Sequence, residues 1–242
     1  YNAMLALAEE KKADCTIAVM PVPIQEASRF GILETDDDCN ITAFKEKPKV
    51  PKSNLASMGI YIFRYHSLRA ALLADAKDEN SDHDFGKNII PTMLAQEKKM
   101  VAYTYNGYWK DVGTIASLHQ ANMDLLLSSH PKTNLYTVAG PHHIYSLDNH
   151  AAPQYIGPKA KVRDSLINQG ATILGSVDRC VISSGAIVEE GAIVENAVLM
   201  DNSVISKGAR VYDAIVGPDT LVEENEVVND ARDGIVLVSN TK

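Results

Sequence analysis

Histidine is absent from the last third of this 242-residue chain: His66, His83, His119, His130, His142, His143 and His150 all precede residue 155. Cysteine is scarce as well. Cys15, Cys39 and Cys180 are far apart and odd in number, which excludes a disulfide framework, and no Cys-x-x-Cys pair suggests zinc. Reduced, structural thiols in a cytoplasm are the better account. No apolar run approaches the roughly 18–20 residues of a membrane span. Neither a Gly-x-Gly-x-x-Gly run nor a P-loop occurs. Basic residues are in deficit, 23 Lys+Arg against 31 Asp+Glu, for a formal charge of −8. That acidity argues against nucleic acid as a partner and for a soluble, cytoplasmic protein, while leaving room for a local basic pocket. The amino end, Tyr1-Asn2-Ala3-Met4-Leu5, is neither a signal peptide nor a natural start and reads as a continuation of something longer.

What is present follows two different grammars. Residues 1–130 alternate helical and strand patterns. Tyr1 to Lys12 carries Ala, Leu and Glu at helical spacing, and Thr16-Ile17-Ala18-Val19-Met20 is a continuous apolar run expected of a strand buried on both faces. Phe30–Glu34 and Ile41–Phe44 flank the acidic turn Asp36-Asp37-Asp38-Cys39-Asn40 and predict a hairpin. Met58–Phe63 and Met100–Tyr105 read as strands, and Ser67–Ala74 and Asn88–Glu97 as helices, the second with Pro91 in its first turn. Thr114 is placed to cap a helix reaching about Leu127, with Ile115, Leu118, Met123 and Leu126 on one side. Such alternation predicts an α/β sheet with covered faces.

From residue 155 the period changes. Ile187, Ile193, Leu199, Ile205 and Val211 recur every sixth residue, and Ile215, Leu221 and Val227 repeat the spacing after a shift. A six-residue repeat with one large aliphatic and a neighbouring small residue predicts a parallel β-helix, with these aliphatics pointing inward to stack on the coil below. Residues 131–154, rich in Pro, His, Asn and Ser, read as a linker. The expected organisation is therefore a mixed α/β region at 1–130, a linker at 131–154 and a hexapeptide coil at 155–242.

Several residues could carry chemistry. Lys47 lies between Glu46 and Pro48 at the end of a predicted strand, where Pro48 bars continuation of the ladder. Strand ends are where open α/β sheets bind ligands. A lysine there meets a phosphate as a point charge, and Glu46 can accept from hydroxyls. A lone Glu-Lys dipeptide is more often a solvated surface pair. Ser57 offers a hydroxyl beside Gly59, whose presence suggests a bend or close backbone approach. Tyr61 either walls a pocket or fills the core. Asp84-Phe85-Gly86-Lys87 looks like a kinase magnesium motif but lacks every companion segment; Asp84 is at least a helix cap. Asp111, after the single tryptophan Trp109 and before Val112-Gly113-Thr114, could hold Mg²⁺ against phosphate oxygens or could be simple turn chemistry.

Three runs in this order, Glu46-Lys47-Pro48, Leu55-Ala56-Ser57-Met58-Gly59-Ile60-Tyr61 and Gly107-Tyr108-Trp109-Lys110-Asp111-Val112-Gly113-Thr114, resemble the bacterial glucose-1-phosphate adenylyltransferases. The resemblance extends over nearly the whole chain, which begins partway into that family's catalytic domain. It implies a Rossmann-like nucleotidyltransferase fold, incomplete at its front, followed by a left-handed parallel β-helix of hexapeptide repeats. It implies glucose-1-phosphate contacts from Gly31, Glu46, Lys47, Ser57, Tyr61, Asp84 and Trp109, with Asp84-Phe85-Gly86-Lys87-Asn88-Ile89-Ile90-Pro91 matching the family's sugar-binding loop before a helix, and Mg²⁺ on Asp111. The metal's second aspartate and the glycine-rich nucleotide loop would lie before Tyr1. The implied reaction is ADP-glucose formation from ATP with release of pyrophosphate, in glycogen biosynthesis, with Asp111 and Lys47 as the catalytic pair. The phosphate of glucose-1-phosphate attacks the α-phosphorus of ATP, and side chains position groups and offset charge.

The resemblance also implies a homotetramer, with or without a paralogous subunit, and a small-molecule allosteric effector. With the nucleotide loop absent, the chain alone is expected to be inactive in synthesis. Three other readings stand beside this one. Hexapeptide acyltransferases use a histidine in or beside the coil, which this chain lacks. Nucleotidyltransferases of other base or sugar specificity share the sheet. A non-catalytic regulatory paralogue would share both regions, but it would not be expected to retain Glu46, Lys47, Ser57, Asp84 and Asp111.

Overall fold

A computed structural model describes residues 1–126 and 149–240, in two compact units, Tyr1–Gly107 and Tyr108–Lys242. Most of the linker expected at 131–154 lies outside the described residues.

The first unit is built on a five-stranded sheet. Helix α1 (Asn2–Glu10) leads into β1 (Cys15–Pro21), followed by β2 (Gly31–Thr35), β3 (Ile41–Glu46), β4 (Leu55–Phe63), α2 (Tyr65–Asp75), α3 (Ile90–Ala95) and β5 (Met100–Thr104). The strand order is β3-β2-β4-β1-β5, antiparallel except for the β1–β5 pair. Residues Cys15 to Val19 of β1 are all buried, as the apolar run requires. Side chains alternate across a strand, so Cys15, Ile17 and Val19 share one face with Leu33, Met100 and Ala102. There they pack under Ala71 of α2 and Ile89, Ile90 and Met93. Helix α1 packs against β1, β4 and β5 through buried Met4 and Ala8.

The acidic turn behaves as its composition predicts. Asp36 Oδ1 accepts from the amides of Asp38 (3.0 Å) and Asn40 (2.8 Å), while Asn40 Nδ2 donates to Asp36 Oδ2 (2.8 Å). Cys39 takes a left-handed φ of 64° at the tip. Its carbonyl accepts from the amide of Ala102 (2.9 Å), and Asn40 bridges to Val101. The hairpin tip thus reaches back to β5 and covers part of that edge, which would otherwise offer unpaired backbone groups. The helix expected at Asn88–Glu97 is shorter than its pattern. It begins as a π turn over Phe85–Ile89 and continues as α3, with Pro91 near its start.

In the second unit Thr114 caps α4 (Ile115–Met123) through a reciprocal pair. The Ser117 amide donates to Thr114 Oγ1 (3.1 Å), and the Thr114 amide donates to Ser117 Oγ (3.1 Å). Met123 and Leu126 pack with Val198 and Ile215 of the coil, while Ile115 is exposed, so it is not part of the buried stripe. His119 is buried, and its Nε2 donates to the Asn196 carbonyl (2.7 Å) at a coil corner where Asn196 has φ 49°.

The coil is a parallel β-helix with three walls. One runs Tyr155–Ile156, Thr172–Ile173, Ile187–Val188, Val204–Ile205, Leu221–Val222, each strand parallel to the next. Stacked partners are 17 residues apart in most turns (Tyr155 with Thr172, Ile187 with Val204, Val194 with Val211), 15 apart at Val162–Val177, Leu166–Val181 and Thr172–Ile187, and 22 apart at Ala214–Val236.

The phase of the repeat differs from the sequence expectation. Val188, Val194, Leu199, Ile205, Val211, Val216 and Val222 fill the interior, with Ala186, Ala192, Ala197, Ala209 and Ala214 between them. Ile187 and Ile193 are only half-buried, Leu221 and Val227 are exposed, and Ile215 is buried against α4 rather than inside the coil. The cause is the pleat. Ala186 and Val188, or Ala192 and Val194, are two residues apart and share a face, so the small residue and its next-but-one neighbour turn inward together. A strict six-residue series cannot hold one face when a turn takes 17 residues rather than 18; the series starts outside at Ile187 and Ile193 and is inside by Leu199.

Candidate functional site

In the first unit, four of the predicted residues converge on the carboxylate of Glu46. β2 and β3 pair Gly31 directly with Glu46. A Cβ on Gly31 would lie 2.8 Å from Glu46 Oε2, and a Cβ on Gly86 only 2.5 Å from the same oxygen. Glycine is therefore needed at both places for the carboxylate to lie where it does. Asp84 precedes the π turn and caps it, its Oδ1 accepting from the Lys87 amide (2.9 Å), while the Asp84 amide donates to Asn88 Oδ1 (3.2 Å). The Glu46 carboxylate thus lies against the start of a helical segment, where exposed amides favour negative charge. π turns recur at functional sites.

Tyr61 reaches the same place from β4. Its ring stacks on Phe85 at 5.7 Å between centroids and tilts against Phe63 at 5.8 Å. Burial pushes the phenol pKa up; the Ser57 hydroxyl partly offsets this, and the carboxylates of Glu46 and Asp84 push it further up. The tyrosine stays neutral, with the Ser57 hydroxyl as its hydrogen-bond partner and the charges of Glu46 and Asp84 acting on it. Both alternatives for Tyr61 apply at once, since the ring also packs against the sheet core.

A bulge in β4 places Ser57 and Tyr61. Tyr61 pairs with Ile17 and Ser57 with Val19, so Met58, Gly59 and Ile60 oppose Ala18 alone. Gly59 takes φ 69° in the bulge, with nothing within 4 Å of the space a Cβ would occupy. The glycine serves backbone conformation rather than close approach. Ser57 is buried, and its Oγ accepts from the Gly59 amide at 3.3 Å.

Lys47 ends β3 in a left-handed conformation, φ 44°, with its amide donating to the Phe30 carbonyl at 3.0 Å. Its ammonium is 3.9 Å from Glu46 Oε1, and its side chain is 68% exposed against 26% for Glu46. A loose, exposed pair leaves the lysine available to a phosphate.

Trp109 and Asp111 belong to the second unit. The loop that carries them is tied to α4 through Asp124, whose carboxylate accepts from Tyr108 Oη (2.8 Å), Gln120 Nε2 (2.7 Å) and Lys110 Nζ (3.4 Å). Burial works against the Asp124 charge, but those donors more than offset it and hold the carboxyl below its usual range. Burial and the same carboxylate push the Tyr108 phenol up. Asp111 is held near Gly113, where an added Cβ would lie 3.3 Å from Asp111 Oδ1. Among the described residues no three His, Cys, Asp or Glu side chains form a metal-binding cluster. Mg²⁺ is characteristically bound through one or two carboxylates, with water and substrate phosphates completing its shell.

The motif reading did not single out Phe85, Gly86 and Lys87 as site residues. Phe85 stacks on Tyr61, Gly86 abuts Glu46, and the Lys87 ammonium feels the charges of Asp84 and Glu46. The available signal was the run Asp84-Phe85-Gly86-Lys87-Asn88-Ile89-Ile90-Pro91, which resembles the family's sugar-binding loop and from which the motif reading draws only Asp84 as a contact.

Comparison with known proteins assigns both regions of the chain to families. The nucleotidyl transferase family matches residues 1–128, and the GlmU-like, C-terminal hexapeptide family matches residues 153–234. A glucose-1-phosphate adenylyltransferase of Desulforamulus reducens is 49% identical over 225 residues, 93% of this chain and 56% of the relative. One from Bacillus thuringiensis strain Al Hakam is 44% identical over 244 residues, covering 100% of this chain and 64% of the relative. The chain therefore spans a little over half to just under two thirds of the length of these relatives.

Proposed function

The chain belongs to the nucleotidyl transferase family, and on that premise we propose that it supplies the sugar-phosphate part of a glucose-1-phosphate adenylyltransferase. The whole protein then makes ADP-glucose from ATP and glucose-1-phosphate, releasing pyrophosphate, in glycogen biosynthesis. One observation carries the reading: Gly31 and the Asp84–Gly86 segment, distant in sequence, close on the Glu46 carboxylate beside an exposed lysine, with Tyr61 stacked on Phe85 of that segment.

The roles follow from chemistry. Glu46 and Asp84 accept hydrogen bonds from sugar hydroxyls, and Tyr61, kept neutral, donates or accepts at the same rim. Ser57 braces the bulge that presents Tyr61. Lys47 meets the phosphate as a compact charge, and Trp109 offers an aromatic face of the kind on which sugars stack. Asp111 would hold Mg²⁺, which when bound supplies charge to offset phosphate oxygens. No group forms a covalent bond to substrate; the chain's work is positioning and charge compensation. Assembly as a homotetramer through the coil, regulation by a small-molecule effector and a cytoplasmic location complete the proposal.

The test is calorimetric titration with glucose-1-phosphate, with and without Mg²⁺, on the native chain and on Lys47→Ala. A charge-assisted contact to phosphate is worth about 1.5–3 kcal/mol, so the variant should bind roughly ten- to a hundredfold more weakly. Equal affinity in the two proteins would remove Lys47 from the site.

A further inference from the structure

Resting on the reading just given, we propose that Lys87 is a second phosphate-binding cation of the sugar-phosphate site, held by Asp82 when the site is empty and exchanged to the phosphate when it fills. The need for it comes from charge. Glu46 and Asp84 contribute two negative charges to the site and Lys47 one positive, so the groups suited to sugar hydroxyls leave a net negative surface facing a phosphate of about −1.5 to −2. Lys87 supplies the next positive charge. It follows Gly86, the residue pressed against the Glu46 carboxylate, and its backbone amide is fixed by Asp84. Its ammonium is held above the ordinary lysine pKa by Asp82 first, with Asp84 and Glu46 acting in the same direction.

The Asp82 contact has the form of a latch. Nζ and Oδ2 are 2.8 Å apart, yet the side chains are 57% and 63% exposed. Water and salt screen such a pair, and it contributes little to stability. The acceptor sits between two clamped neighbours, while the donor ends a long stem. Ser81 Oγ donates to Asp75 Oδ1 (2.6 Å), His83 Nδ1 meets Asp75 Oδ2 (2.8 Å), and the His83 amide donates to Ser81 Oγ (3.0 Å). Asp75 is only 14% exposed, at the end of α2, and His83 is held at φ 55°. Asp82 is therefore flanked on both sides by residues clamped to one carboxylate, whereas Lys87 projects on a long, flexible stem. The three clamp residues are not a nucleophilic triad, because serine and histidine both bond to aspartate oxygens rather than serine to the imidazole.

A latch that competes with ligand predicts effects of opposite sign from its two halves. Glucose-1-phosphate is titrated into the full chain as native protein, Lys87→Gln and Asp82→Asn. Lys87→Gln should weaken binding by roughly tenfold, the loss of one charge-assisted contact. Asp82→Asn should tighten it, by about two- to threefold, because the lysine no longer leaves a partner. Both variants abolish the same ion pair, so a purely structural role moves both in the same direction. Weakening in both, or no change in Lys87→Gln, overturns the inference and leaves the sugar-phosphate reading intact. Absence of binding by the native chain overturns the reading and the inference together.

Discussion

The two units use left-handed backbone differently. In the first, Lys47 (φ 44°), Gly59 (φ 69°) and His83 (φ 55°) sit at the end of a strand, in a bulge and beside a helix cap, all next to predicted site residues. In the coil, Gly185, Gly191, Asn196, Asn202, Gly208, Asp213, Asp219 and Asn225 adopt similar angles one corner after another. Gly185 is stacked against Asn202 and Gly208 against Asn225, and Asn202 Nδ2 donates to Asp219 Oδ1 at 3.1 Å. There the conformation is the ordinary means of turning a corner, and it recurs because the corner recurs. A non-repeating left-handed residue costs free energy that nothing nearby repeats, and such residues cluster where ligands bind. In the first unit the same angle also closes plain turns at Lys12, Cys39 and Glu97, so it accompanies chemistry only at Lys47, Gly59 and His83, whereas in the coil it is architecture throughout.

If that contrast holds, substitutions inside the coil should cost stability without touching ligand affinity, and substitutions around Glu46 should do the reverse. The largest effect is expected inside the coil. Ile205→Ala should destabilise the second unit by about 2–5 kcal/mol, whereas Leu221→Ala, on the outer face, should stay within about 0.5 kcal/mol. Thermal unfolding followed by circular dichroism distinguishes them, and equal losses would return the interior to the strict six-residue series. Next is Asp111→Asn, the metal ligand proposed within the second unit. In a protein of the relatives' full length it should lower turnover at saturating substrate on the order of a hundredfold, with the melting temperature unchanged; unaltered turnover would remove the metal role.

A smaller effect is expected at Gly86→Ala. The added methyl meets the end of a flexible carboxylate rather than backbone, so the fold adjusts by moving Glu46. Glucose-1-phosphate affinity should fall several-fold, which is about 1 kcal/mol, and stability should change less than affinity. Loss of stability with retained affinity would break the contrast between the units. The smallest effect concerns pH. The folded carboxyl of Asp124 titrates below its usual value, so its contribution is present above the unfolded pKa near 3.9 and is lost as pH falls through the folded value. Asp124→Asn should flatten the stability of the second unit across that acidic window and leave its pH dependence near neutrality as it was.

Much of this was legible in the sequence, for reasons that can be named. The β1 run, the Asp36–Asn40 turn and the Thr114 cap are local signals, each contained within a few residues, and the turn and the cap are realised by contacts among those residues. The coil's period was legible because every turn repeats it. Its phase was not, since Ile187-Val188 offers two adjacent aliphatics, and only the pleat relating Val188 to Ala186 decides between them. The apolar residues Leu118, Met123 and Leu126 announced a buried side of α4 but could not say that Val198 and Ile215 of the coil would cover it. The meeting of Glu46 with Gly86 joins positions 40 residues apart in the chain, and no local pattern reports such a neighbour. Recognising the family motifs named Glu46 and Asp84 separately; their common environment comes from the fold.

The stacking of the coil also makes it a mechanical object. Each interior turn is held by the turns above and below, through in-register pairs such as Val194 with Val211 and Val211 with Val228, whereas among the described residues the first turn has a stacked neighbour on one side only. Ile156 and Val162, which continue the inward register at that end, remain 42% and 43% exposed. Under tension such a stack should peel from its end instead of failing all at once. Each 17-residue turn released would add about 55–60 Å of extended chain, so a force–extension trace of this unit should climb in regular teeth, and the tooth spacing would measure the length of a turn.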